Sequence, residues 1–175
     1  MATIDLTAPG DARGVLFVHS CSRALAQHVE WALAGLLGVP VSMSWTPQPV
    51  LPGTVRSEFP WRGSVGTASR IASALLSFPG LRYEVTEEPS LEHEGERYAV
   101  TPTLGLFRAT TGLNGDVQVG EERLRGLLAR LSDGSEPDAR AGIDALLGTA
   151  WDDELEAFRC AGEITAGVRW LTQVG

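Results

Sequence analysis

The residues best suited to chemistry form one short run, His19-Ser20-Cys21-Ser22-Arg23, at which a predicted strand leads into a predicted helix. A thiol in the first turn of a helix can have its pKa lowered by the unpaired backbone N–H groups, which makes it a better nucleophile. His19 could then serve Cys21 as a general base. The run therefore contains one candidate catalytic pair, His19 and Cys21.

The same run has a binding interpretation and a purely structural one. A helix N-terminus attracts a carboxylate or phosphate group, and Ser20 and Arg23 could bind such an anion there. In the structural interpretation, Ser20 or Ser22 caps the helix and Cys21 is a small buried apolar side chain. We favour the structural interpretation for Cys21 and the two serines.

Three further clusters are interpreted in the same way. The turn Arg62–Thr67 is rich in glycine and could cradle phosphate, but it has no lysine and no Walker spacing, so an ordinary loop and cap is favoured. The acidic run between Glu87 and Glu96 is typical of a solvated hairpin. Asp152, Asp153 and Glu154 fall in a predicted first helical turn, where carboxylates are stabilised. We therefore predict no metal site and no cofactor.

Tryptophan is the least explained residue type of the chain, with five copies. Trp45 and Trp61 flank a proline-rich loop and are the best candidates for an exposed binding surface, because tryptophan is enriched in interface hot spots. We expect Trp31, Trp151 and Trp170 to complete the core.

Charge and composition narrow the class of partner. The net charge of −8 repels phosphate backbones, so we predict neither a nucleic-acid partner nor an anionic membrane partner. All 14 basic side chains are arginine, which excludes a Schiff-base lysine and a P-loop lysine. There is no signal-peptide pattern, no membrane-length apolar run and no CxxC spacing between the two cysteines. These features predict a cytoplasmic protein with reduced thiols.

The elements that must position these residues indicate one domain over residues 1–175. Residues 14–87 show the order strand, helix, strand, strand, helix, strand, which is typical of a ferredoxin-like fold, an α+β class with two helices on one face of an antiparallel sheet. The pattern predicts strands at Val15–Val18, Val41–Trp45, Val55–Phe59 and Leu81–Val85, and helices at Ser22–Leu37 and Ala68–Leu76. We expect a loose arm at 1–12, extra antiparallel strands at 97–119, and a helical segment at 120–175 that ends in a short strand, Val168–Leu171.

Four segments resemble those of a small actinobacterial family known as a domain of unknown function: His28–Gly35, Trp45–Pro49, Val85–Pro89 and Trp151–Glu156. The resemblance extends over roughly Arg13 to Val174. It implies an actinobacterial source and a loose association with fatty-acid synthesis genes, and it implies no established activity.

We predict a non-enzymatic interaction or regulatory protein, with a protein partner or a homodimer formed through surfaces such as that of Trp45 and Trp61. The alternative is a binder of a small acyl, phosphate or carboxylate compound, or an enzyme acting on one, that uses the His19–Arg23 turn.

Overall fold

A computed structural model describes the backbone of residues 11–171 and the side chains of residues 11–160. Seven strands and five helices lie within this range. The strands are β1 (Asp11–Ser22), β2 (Thr46–Pro47), β3 (Thr54–Ser64), β4 (Arg82–Glu87), β5 (Gly95–Thr101), β6 (Gly105–Thr111) and β7 (Val117–Gln118). The helices are α1 (Arg23–Leu37), α2 (Thr67–Leu75), α3 (Glu121–Asp133), α4 (Ala139–Leu147) and α5 (Thr149–Leu171).

All seven strands form one antiparallel sheet, in the order β2-β3-β1-β4-β5-β6-β7. The predicted α+β class is confirmed. The long strand β1 lies between β3 and β4, with Gly14 opposite Trp61 on one side and Glu87 on the other. A side chain at Gly14 would overlap the carbonyl oxygen of Thr86 and approach the Trp61 ring to 2.7 Å, so this position needs glycine.

Helices cover both faces of the sheet, as alternate residues of β4 show. Tyr83 donates its hydroxyl to the Ala72 carbonyl of α2 at 2.6 Å, which assigns the odd-numbered residues to the face of α1 and α2. Arg82 and Glu84 instead bind side chains of α5. The sheet therefore has α1 and α2 on one face and α5 on the other.

Each face has its own apolar core. The larger core lies under α1 and α2 and includes Leu16, Val29, Ile71, Tyr83 and Trp61. The smaller one lies under α5, where Leu155 and Trp151 pack on Ala99, Phe107 and Ala109 of β5 and β6. This second core explains why α5 crosses the sheet at β5 and β6.

Three predicted elements differ from the structure. Segment Val41–Trp45 is not a strand, because the Met43 N–H binds the Glu30 carboxylate at 2.8 Å and the Ser44 carbonyl accepts the Ser57 hydroxyl, which takes these groups away from a strand ladder. The predicted final strand Val168–Leu171 is also wrong: it is helical and continues α5. Residues 149–171 contain no proline, the residue that most strongly breaks a helix interior.

The third difference is at the start of the chain. The predicted arm at 1–12 overlaps β1, which begins at Asp11, and residues 1–10 lie outside the described residues. In the described part of the chain, no helix has both the length and the apolar content that crossing a bilayer requires.

Candidate functional site

The run that contains the candidate pair His19 and Cys21 is not a turn between a strand and a helix. His19, Ser20, Cys21 and Ser22 belong to β1, and α1 begins only at Arg23. A β-bulge between Val18 and Cys21 interrupts the register with β3, and the register with β4 also shifts between Val18 and Ser20. One extra residue in a strand changes which side chains face which side of the sheet. His19 and Cys21 therefore lie on opposite faces and do not form a pair.

Cys21 lies in the core under α1 and α2 with 1% of its surface exposed. Burial raises the pKa of Cys21 to about 11, which is opposite to the direction expected of a thiol activated by a helix N-terminus. Its Sγ donates to the Ser22 carbonyl at 3.2 Å. The structural interpretation of Cys21 agrees with this position.

The other two residues of the predicted anion site are also separated. Ser20 is fully buried, and its hydroxyl has no hydrogen-bond partner within the described residues. The N-cap residue of α1 is Ser22, which makes no side-chain cap. Arg23 is exposed at the start of α1. Neither serine caps α1 through its side chain, so that part of the prediction is wrong.

His19 faces α5 and lies at the centre of a buried ion network. It is 5% exposed, and its Nε2 lies 2.7 Å from Oε2 of Glu84 on the neighbouring strand β4. Its carbonyl accepts a hydrogen bond from the Gln48 amide at 2.7 Å, and the Phe17 ring stacks beside its imidazole with centroids 6.3 Å apart. Two contacts thus hold the ring, and a third holds the backbone of the same residue.

Two arginines and a second carboxylate complete the ion network, which we define as His19, Glu84, Arg97, Asp152 and Arg159. Arg159 binds both oxygens of Glu84, from Nη2 at 2.7 Å and from Nε at 3.0 Å. Arg97 of β5 donates to the same carboxylate at 2.7 Å. Both arginines also bind Asp152 in the first turn of α5. The network therefore joins β1, β4 and β5 to α5.

The ion network keeps both carboxylates charged. Burial alone would raise the pKa of Glu84, but hydrogen bonds from His19 and Arg159 and the charge of Arg97 hold that pKa far below its usual range. The pKa of Asp152 is lowered against burial by hydrogen bonds from the same two arginines. Since an ionised carboxylate only accepts hydrogen bonds, the proton in the His19–Glu84 contact is on Nε2 of His19.

A cavity of about 390 Å³ opens beside the ion network, on the same face of the sheet. We call it the sheet-face cavity. Its aromatic and charged lining consists of Phe17, His19, Arg56, Glu58, Glu84 and Arg159. Ser44, before β2, and Thr46, the first residue of β2, also line it.

Among the cations that line the sheet-face cavity, Arg56 has guanidinium N–H groups that form no hydrogen bond to the described residues. The guanidinium group makes one hydrogen bond within the described residues, from Nη1 to the Phe158 carbonyl at 3.4 Å. Glu58, two residues along β3, is exposed and has no ion-pair partner among the side chains that the structure describes. Among the described residues, Arg56 and Glu58 thus have no ion-pair partner.

A family model described as "Protein of unknown function (DUF3145)" matches residues 15–173. The chain belongs to this family. The resemblance predicted from the four segments is thereby confirmed. Comparison with curated proteins and with solved structures finds no match.

The two tryptophans proposed for binding occupy different environments. Trp61 is 2% exposed within the core under α1 and α2, so the expectation that it lies on the surface is wrong. Trp45 is half-buried, with its Nε1 donating to Glu30 at 3.0 Å, so its ring has a structural contact. Trp31, which was expected in the core, is 61% exposed. Trp151 does pack against the smaller core, and the side chain of Trp170 lies outside the described residues.

The remaining polar clusters are used within the fold. The carboxylate of Glu87 accepts the backbone N–H groups of Gly66 and Ala68 at 2.9 and 3.0 Å, so the N–H groups at the start of α2 that could have bound phosphate are used by the protein itself. Glu88 pairs with Arg13, and Glu154 binds Arg82 and Thr101. No three metal-binding side chains converge within the part of the chain that the structure describes.

Sequence reasoning missed Glu84, Arg97 and Arg159 as site residues. β4 alternates Tyr83 and Val85 with Arg82 and Glu84, which indicates a strand with one solvent-exposed face. The one available signal was Asp152 and Glu154, which lie in a single helical turn and need cations if that turn is buried.

Proposed function

We propose that the protein binds a small organic anion, a carboxylate or phosphate compound, in the sheet-face cavity. The observation that carries this proposal is the position of Arg56, which lines the cavity with N–H donors that the described residues leave unused. Guanidinium groups bind carboxylate and phosphate in two-pronged geometry. The cavity volume of about 390 Å³ falls in the range of small-molecule sites.

The ion network supports binding because it forms a rigid wall of the cavity in which the charges of the arginines and carboxylates cancel. Arg97 and Arg159 are neutralised by Glu84 and Asp152, so neither arginine needs the ligand. Rigid walls lower the ordering cost of binding. Arg56 then selects the anionic group, and Glu58 at the same strand favours a ligand that also carries a hydrogen-bond donor.

The positions and hydrogen bonds of the potentially reactive side chains favour binding over catalysis. Cys21 lies on the opposite face of the sheet. The Ser57 hydroxyl in the cavity donates a hydrogen bond to the Ser44 carbonyl at 2.9 Å. Nε2 of His19 is occupied by Glu84. These groups therefore contribute to structure, as a non-enzymatic role requires.

We also propose that residues 14–87 form a ferredoxin-like unit. The order β2-β3-β1-β4 and the antiparallel pairing of these strands support it, as does the position of α1 and α2 on one face. In such a unit the other face of the sheet is free for a ligand or a partner. α5 packs on β1 and β5 on that face, and the cavity lies at its margin.

A role in binding a protein partner is the second candidate function, favoured by two leucines at loop tips, Leu91 and Leu113, which are 98% and 79% exposed. The cytoplasmic location and the link to fatty-acid synthesis stay predictions.

The test of the small-molecule proposal is a binding screen of the purified protein against short hydroxy- and amino-carboxylates and phosphate esters, read by thermal shift and calorimetry. We expect a compound to bind the wild type and to lose about tenfold or more of its affinity in Arg56→Gln, since a hydrogen bond to a charged group contributes about 1.5–3 kcal/mol. Arg23→Gln is the matched control, because Arg23 belongs to the anion site predicted from sequence and lies outside the cavity. Unchanged affinity in Arg56→Gln, or no binding by any compound of the panel, would contradict the proposal.

A further inference from the structure

Two of the most exposed leucines of the described chain lie on either side of one cleft. Leu91 is 98% exposed in the loop between β4 and β5, and Leu113 is 79% exposed in the turn between β6 and β7. Both line a cleft of about 250 Å³, together with Pro89, Glu92, Glu94 and Gln118. We call this the leucine cleft. Large apolar side chains at such exposure, concentrated at one site, are typical of an interaction surface.

Internal hydrogen bonds hold both loops in shape. The Ser90 N–H donates to the His93 carbonyl at 2.9 Å, and the Ser90 hydroxyl accepts the N–H of Glu92 at 3.1 Å. In the other loop, the Gly112 N–H donates to the Asp116 carbonyl at 2.9 Å, and the Gly115 N–H donates to Gly112 at the same distance. The leucines are therefore presented by ordered turns, which reduces the entropic cost of docking.

The rim of the leucine cleft carries uncompensated negative charge. Glu92 and Glu94 line the cleft, and Asp116 lies in the adjoining turn between β6 and β7, where it accepts a hydrogen bond from the Asn114 amide. All three are exposed, and none of them has an ion-pair partner among the described side chains. Two nearby carboxylates do have an ion-pair partner, since Glu88 pairs with Arg13 and Glu96 pairs with Arg108. The exposed carboxylates around the cleft thus form an acidic rim that is available to an external cation.

We propose that the leucine cleft docks a basic segment of another protein. The segment places a bulky apolar side chain between Leu91 and Leu113, and it sets Lys or Arg residues against Glu92, Glu94 and Asp116. Charge complementarity selects this occupant. A second copy of the chain would bring the same acidic rim and a net charge of −8 into contact, so self-association here is disfavoured.

The experiment is a selection of short random peptides displayed on phage against the purified wild-type protein, followed by affinity measurements on synthetic copies. We expect the selected peptides to share one bulky apolar residue next to Lys or Arg. We expect their affinity to fall at least tenfold in Leu91→Ser/Leu113→Ser. In Glu92→Gln/Glu94→Gln/Asp116→Asn, binding should weaken and lose most of its dependence on salt, because screening acts on the removed charges.

Leu128→Ser is the matched control for the leucines, since Leu128 is 61% exposed on α3, outside the cleft. Thermal unfolding of each variant verifies that it folds, as expected of exposed positions. Peptides without basic residues, equal binding to the leucine variant, or no enriched peptide at all would overturn the proposal. So would a wild-type dimer in sedimentation equilibrium that Leu91→Ser/Leu113→Ser converts to monomer.

Discussion

At the scale of single residues, the β-bulge in β1 decides what His19 and Cys21 can do. In a regular strand, residues two apart share a face, so the two side chains would be neighbours. The bulge between Val18 and Cys21 breaks this alternation. It sends Cys21 into the apolar core and leaves His19 against Glu84 on the opposite face. One inserted residue therefore places the candidate nucleophile and the candidate base on opposite faces of the sheet.

The thiol chemistry of Cys21 follows from this position. We expect Cys21 to remain unreactive towards a small disulfide reagent at neutral pH, because burial raises the pKa of its thiol to about 11 and only the thiolate attacks. The measurement is the labelling rate in Cys160→Ser, which leaves Cys21 alone, against Cys21→Ser, which leaves the half-buried Cys160. Labelling of Cys21 in the native protein as fast as in the unfolded chain would contradict this.

At the scale of elements, α5 is the component that completes both the second core and the ion network. Its first turn supplies Asp152, the next supplies Leu155, and Arg159 follows on the same side of the helix. Arg82 adds a cation–π contact, with its guanidinium carbon 4.9 Å from the centre of the Phe158 ring. The helix is thus fixed to the sheet by apolar packing at β5 and β6 and by charge at β4.

Removing the charge of Glu84 tests the contribution of the network. We expect Glu84→Gln to lower the free energy of unfolding by about 3–5 kcal/mol, because it leaves the buried Arg97 with Asp152 alone and Arg159 with Asp152 and the exposed Glu156. The melting temperature should fall by roughly 10 °C for a chain of this size. Denaturant unfolding measures the change.

Glu58→Gln is the control for that experiment. Glu58 lies on β3 facing the same cavity, but it is exposed and has no ion-pair partner among the described side chains. We expect an effect within about 0.5 kcal/mol. Equal effects of the two substitutions would show that the ion network does not stabilise the fold.

At the scale of the whole molecule, the buried Glu84 and the partly exposed Asp152 contribute to the pH dependence of stability. The pKa values of Glu84 and Asp152 are lowered in the folded state, so both groups bind protons more readily when the chain unfolds. Their stabilising contribution is complete above the unfolded pKa values of about 4, and it is lost as the pH falls through the lower folded values.

We therefore expect the contribution of these two carboxylates to the free energy of unfolding to be constant from about pH 7 to pH 5 and to decrease below about pH 4. In Glu84→Gln the decrease per pH unit over the acidic range should be smaller, because one of the two groups no longer titrates. Chemical denaturation at a series of pH values gives both curves. Parallel curves for the two proteins would mean that the pKa of Glu84 is not lowered in the folded state.

Much of the fold was accessible from local pattern. The stripe of apolar residues predicted α1 as Ser22–Leu37, and the structure has Arg23–Leu37, ending at Gly38 in the left-handed conformation. α2 at Thr67–Leu75 also lies close to its predicted bounds, Ala68–Leu76. Such elements are decided by residues next to one another in the chain, through periodicity, caps and turns.

The sequence by itself determined the α+β class, the bounds of α1 and the acidic net charge of −8, all of which depend on local spacing or on composition. The tertiary structure alone decided the candidate site. Glu84 and Arg159 are 75 residues apart in the chain, and His19 and Glu84 are 65 apart, so only the placement of α5 and the pairing of β1 with β4 bring them together. The physical reason is that a strand alternation shows which residues share a face and does not show what covers that face.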